Sequence, residues 1–127
     1  MTTATVLIVE ADIVVRHPLA EYLRECGYTV LEASNLDQAR PFFSQPNRVI
    51  DMVLADVHSP GAGGFALAQW IRAHHPATKI LLAGSIEAVA GKAAETCEKG
   101  PTLRKPYDHQ IVLNRIRQLM AARDRKS

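Results

Sequence analysis

Five short strand-like runs alternate with five helix-patterned stretches along this chain of 127 residues, and no other feature restricts its fold so tightly. The runs are residues 6–9, 28–31, 52–55 and 80–83, with a shorter one marked by Leu103. In Val6-Leu7-Ile8-Val9 and Met52-Val53-Leu54-Ala55 every position is apolar, the pattern of a strand buried on both faces of a parallel sheet. Between the runs, apolar residues recur at helical spacing. Leu19, Tyr22, Leu23 and Cys26 share one face, and Gly27 stops that helix. Asn35 caps a second helix carrying Leu36, Ala39, Phe42 and Phe43. Leu67 and Ile71 lie one turn apart on a third, where Trp70 reads as a packing or surface aromatic. An alanine-rich helix covers about residues 87–98, and Val112, Ile116 and Leu119 line the last helix, with Asp108 as its cap. Pro18 fits a helix that begins near His17 and implies a kink if the helix begins at Ile13; Pro41 makes the middle of the second helix irregular. Such alternation with short links predicts a doubly wound parallel α/β sheet covered on both faces. One domain spans residues 1–127, with its core at about 5–120 and a basic tail over 121–127.

In an open sheet of this kind, ligands sit outside the carboxyl ends of the strands, so the residues at those ends carry the chemistry. Strand one ends in Glu10, strand three in Asp56, and strand five in Arg104-Lys105-Pro106. After Asp56 a proline and three glycines fall within eight residues, which forces a turn. An aspartate there can simply cap the next helix. In the strand order 2-1-3-4-5, however, strands one, three and five bring two acids and one amine to the same edge. A carboxylate beside a hard cation and a lysine suits a phosphoryl acceptor: the positive charges neutralise the equatorial oxygens, and the carboxylate forms the acyl phosphate. Lys105 precedes a proline, which restricts it to extended geometry.

These residues stand in the motifs VLIVEAD at strand one, DMVLADVHSPGAGG around Asp56 and LRKPY at strand five. In them the sequence resembles the response-regulator receiver domain, the module of bacterial two-component signalling typified by CheY, over about residues 5–120. The resemblance implies a CheY-like, flavodoxin-like (βα)5 fold with Asp56 as phosphoacceptor and Lys105 as the phosphoryl-contacting lysine. It implies a Mg²⁺ site built on Glu10, Asp56 and the backbone of His58. The sequence then departs from the pattern. Ala11 stands where the second acid of the metal pair belongs, and Asp12, one place later, is a candidate substitute. The hydroxyl switch position at the end of strand four falls on Gly84, with Ser85 adjacent; a one-residue shift on a strand reverses the face. The aromatic switch position of strand five falls on Thr102. A weak Mg²⁺ site is therefore expected. The side chain of His58 is incidental, His74 and His75 lie near a helix carboxyl end and interact with its dipole, and His17 and His109 carry no assigned role.

Composition removes other classes. A net charge of +2 is too small to argue for nucleic acid, and part of the excess sits in Arg123-Asp124-Arg125-Lys126. No apolar run approaches a membrane span, and no basic leader with a cleavage site precedes the first strand, which points to the cytoplasm. Cys26 and Cys97 lie far apart on expected helices, without metal-ligand or CxxC spacing, and are read as reduced, packed thiols. The leading expectation is a stand-alone receiver, not an enzyme. It would be phosphorylated by a sensor histidine kinase or phosphotransfer protein and would signal through an unknown downstream protein. Pairing of two copies through helices four and five is compatible with this. The alternative is a pseudo-receiver, an interaction module with weak or no Mg²⁺-dependent phosphorylation. A flavin carrier or aspartate-nucleophile phosphatase is a third class; His58 stands where the phosphatase needs a second aspartate, and no aromatic-rich phosphate loop follows strand one.

Overall fold

The computed structural model describes residues 4–57, 64–98 and 109–126. Along the chain run β1 (Thr5–Val9), α1 (Ile13–Glu25), β2 (Thr29–Ala33), α2 (Leu36–Phe43), β3 (Met52–Asp56), α3 (Gly64–His74), β4 (Lys79–Ala83), α4 (Ile86–Glu98) and α5 (His109–Lys126). The strands pair in parallel in the order β2-β1-β3-β4. Order and direction match the doubly wound expectation; the strand expected at Leu103 lies outside the described residues.

Successive residues of a strand point to opposite faces, which is why the central runs must be apolar throughout. Val6 and Ile8 enter one core with Leu54 and Ala83, while Leu7 and Val9 enter the other with Val53 and Ala55. The first face is covered by α1, α4 and α5 through residues such as Leu19, Leu23, Ala93 and Ile116. The second is covered by α2 and α3 through Ala39, Leu67 and Ile71. Burying each large side chain contributes about 1.5–3 kcal/mol. Ala90, Ala93 and Ala94 are all buried on α4, and their small size lets that helix lie close to its neighbours. Trp70 packs edge-on against Phe43, with ring centroids 5.3 Å apart, joining α3 to α2.

The helix ends follow local chemistry. Asp12 caps α1, its Oδ1 accepting from the Val14 N–H at 2.9 Å, so the helix begins at Ile13 and Pro18 lies inside it. Lacking an N–H, Pro18 leaves the Val14 carbonyl without its usual partner four residues on. Gly27 takes φ 96°, the left-handed turn after the helix, with Tyr28 N–H bonded back to the Leu23 carbonyl at 3.2 Å. Asn35 caps α2 through a 2.9 Å bond from the Gln38 N–H.

The cysteines require a correction. Cys26 and Cys97 are not separate thiols: they form a disulfide across 71 residues of sequence, with Cα atoms 5.7 Å apart and both residues fully buried. It joins the carboxyl ends of α1 and α4. Beside it the Tyr28 hydroxyl donates to the Thr96 carbonyl at 2.7 Å, and burial raises the Tyr28 pKa above its ordinary value. Sequence spacing could not show this pair, because helix packing alone brings the two ends together.

Candidate functional site at the carboxyl edge of the sheet

In the register of β1 with β3, Val9 pairs with Ala55. The next residue on each chain is a carboxylate, so Glu10 and Asp56 stand side by side where the two central strands end. Asp56 still pairs with Ala83 of β4, and the following Val57 N–H donates to the Ala83 carbonyl at 2.8 Å. Beneath the two acids is a small cleft floored by Leu54 and Ala55 and walled by Val15 and Val89. Asp56 is partly buried and Glu10 is 5% exposed. A carboxylate that deep must be held by donors. Glu10 Oε1 accepts the Asp12 N–H at 2.9 Å, and the Glu10 N–H donates to the Ala33 carbonyl at 3.0 Å.

The neighbouring positions divide the expected site. Ala11 is exposed and presents only a methyl group. Asp12 is also exposed, and its carboxylate caps α1. Gly84 links β4 to α4, and Ser85 opens that helix, with its Oγ accepting the Ala88 N–H at 3.1 Å. His58, Thr102 and Lys105 lie outside the described residues. Among the described residues no group of three His, Cys, Asp or Glu side chains is arranged to hold a metal. Two adjacent carboxylates nevertheless fit Mg²⁺, which commonly takes one or two protein carboxylates and keeps several waters.

A second set of residues at this edge was not singled out from the sequence. Arg16, in the first turns of α1, donates from Nη1 to the Glu10 carbonyl at 2.9 Å and to Ser34 Oγ at 2.8 Å. Its Nε donates to Glu32 Oε1 at 3.1 Å. His17 Nδ1 lies 3.1 Å and Arg24 Nη1 3.3 Å from Glu32 Oε2. Burial pushes Glu32 up, but hydrogen bonds from His17 and Arg16 and the charges of His17 and Arg24 outweigh it and hold this carboxyl below its ordinary pKa. The only sequence signal was an arginine four residues after Asp12, which is common on any amphipathic helix. On α3, His74 Nδ1 sits 2.9 Å from the Trp70 carbonyl, matching the expected role at a helix carboxyl end.

A parallel doubly wound sheet with paired acids at its central carboxyl edge serves more than one class of protein, and comparison with known proteins decides among them. Residues 6–120 match the family model of the response regulator receiver domain, and the chain belongs to that family. It is 29% identical over 118 residues to the transcriptional regulatory protein AruR of Pseudomonas aeruginosa, covering 91% of this chain and 48% of AruR. It is 33% identical over 78 residues to a cyclic di-GMP phosphodiesterase of Thermotoga maritima, covering 61% of this chain and 20% of that protein. The chain thus spans half or less of the curated relatives it matches here. Among solved structures, a putative response regulator from Chloroflexus aurantiacus is 28% identical with a TM-score of 0.58, covering 94% of this chain and 99% of that one. The family is one of signalling modules rather than enzymes. Among the described residues no helix is long and apolar enough to cross a membrane.

Proposed function

We propose that this chain is a cytoplasmic receiver that accepts a phosphoryl group on Asp56 from a sensor histidine kinase or phosphotransfer protein and passes the signal through protein–protein contacts. The side-by-side placement of Glu10 and Asp56 at the ends of β1 and β3 carries this reading. In the transfer, one Asp56 oxygen attacks phosphorus, the donor's bond to phosphorus breaks, and an acyl phosphate forms. The donor side chain leaves with the electron pair and takes up a proton. The Glu10 and Asp56 carboxylates, with the His58 backbone, would hold Mg²⁺, which supplies charge neutralisation at the phosphoryl oxygens when bound. Lys105 is assigned the phosphoryl contact by its place in LRKPY.

One observation favours the pseudo-receiver reading. Ala11 offers no ligand, and the nearest acid, Asp12, is engaged as a helix cap, so the metal site is short of one carboxylate. The readout follows the same logic. Gly84 has no hydroxyl for a phosphoryl oxygen to draw in, and Thr102 has no ring to turn. A ligand shifts an equilibrium only by its differential interaction with the two states. Phosphate on Asp56 is therefore expected to bias α4 only modestly, read as small amide-resonance shifts in α4 that grow in a Gly84→Ser, Thr102→Tyr double variant. Shifts as large in the parent as in the double variant would show that another group performs the switch.

The experiment for the main reading is incubation of the purified chain with acetyl phosphate, with and without Mg²⁺, followed by intact-mass measurement. One phosphoryl group on the parent and none on Asp56→Asn is the expected result. Absence of uptake by the parent at saturating Mg²⁺ would leave the interaction module as the function. Equal uptake by Asp56→Asn would place the acceptor elsewhere.

A further inference from the structure

We infer that Arg16 is a positioning residue for the paired-carboxylate site, clamping the turn between β1 and α1 so that the Glu10 carboxylate faces Asp56. The inference deepens the receiver reading and rests on it for the use of the site. Arg16 does not enter the cleft. Its side chain is only 12% exposed, and its guanidinium bonds the Glu10 carbonyl, Ser34 and Glu32 at once. A planar guanidinium presents its donors in a fixed fork, so three acceptors on one side chain define its orientation closely. The anchoring end is itself fixed, because Glu32 also receives His17 and Arg24.

The consequence falls on Glu10. Its N–H is tied to the Ala33 carbonyl, its own carbonyl to Arg16, and its carboxylate to the Asp12 N–H. Backbone and side chain are thus held from three directions: the Glu10 N–H ties the turn to Ala33 at the end of β2, and Arg16 adds a second tie from the Glu10 carbonyl to Glu32 and Ser34. Where Ala11 supplies no carboxylate, the orientation of Glu10 weighs more than in a site with both acids. The positive charge of Arg16 is matched by Glu32, so the contribution is geometric rather than a long-range attraction. A lysine keeps the charge but cannot reach three acceptors with one fixed fork.

The test compares the parent, Arg16→Lys and Glu32→Gln in the full chain. The Asp12 amide is followed by NMR and hydrogen exchange, Mg²⁺ affinity by titration, and stability by thermal melting. Arg16→Lys is expected to shift the Asp12 amide resonance and speed its exchange. It should also weaken Mg²⁺ binding about 10- to 100-fold, the usual effect of losing an outer-shell partner. Glu32→Gln should act in the same direction and less strongly. In an Ala11→Asp background the loss of Mg²⁺ affinity should shrink, because the added ligand makes the site depend less on Glu10; such coupling is read from a double-mutant cycle. A lower melting temperature with an unchanged Asp12 amide and unchanged Mg²⁺ affinity would show a merely structural role and overturn the inference. The amide readout needs neither metal nor phosphate. A parent that takes no phosphoryl group would sink the receiver reading while the position of the Asp12 amide still decides the role of Arg16.

Discussion

Ala11→Asp is expected to tighten Mg²⁺ binding by about 10- to 100-fold, on the scale by which even a partner outside the coordination sphere alters metal sites. Ala11 is exposed, lies in the turn directly after Glu10, and precedes a residue already committed to capping α1. A carboxylate there adds an oxygen ligand to the Glu10 and Asp56 pair without displacing packed side chains. Mg²⁺ demands near-octahedral oxygen geometry and gives up its waters reluctantly, so a third charged ligand changes affinity far more than general attraction at the surface would. Calorimetric titration of parent and variant measures the ratio. Equal affinities would mean that the parent already completes its coordination from another group and that the Ala11 departure has no chemical consequence. Phosphoryl uptake at limiting Mg²⁺ should rise in parallel.

The second large effect concerns the disulfide. Breaking the Cys26–Cys97 link, by reduction or by Cys97→Ala, is expected to lower stability by about 2–4 kcal/mol and the melting temperature by on the order of 10 °C. The crosslink spans 71 residues, so in the chain-entropy account it removes much of the freedom of the unfolded chain. Alanine leaves no unpaired hydroxyl among the apolar neighbours of Cys97. Because both sulfurs are fully buried, alkylation must follow denaturation. The expected pattern is two reactive thiols after denaturation with reductant and none after denaturation without it, with a Cys26–Cys97 crosslinked peptide in the digest. Two thiols without reductant would restore the reading of packed, reduced cysteines.

The site was partly legible before the structure because its acids end strands. Glu10 and Asp56 each follow an unbroken apolar run, and the parallel order of such runs places their carboxyl ends together. Asp12 was ambiguous, since one sequence position can serve as a metal ligand or a cap; the local bond from the Val14 N–H shows that one of its oxygens caps α1. Arg16 was invisible because its three acceptors come from the turn after β1, from β2 and from the turn after β2, which share no sequence spacing.

Local rules therefore determined the strands, the capped helix start at Asn35, the stop at Gly27 and the identity of the edge acids, all of which depend on neighbours a few residues away. Only the tertiary structure decided that α4 shares a face with α1 and α5, that Cys26 meets Cys97, and that Arg16 clamps Glu10. A helical period shows which side of α4 is apolar but not which face of the sheet receives it. That choice, and every contact that follows from it, depends on how distant elements fill a common volume.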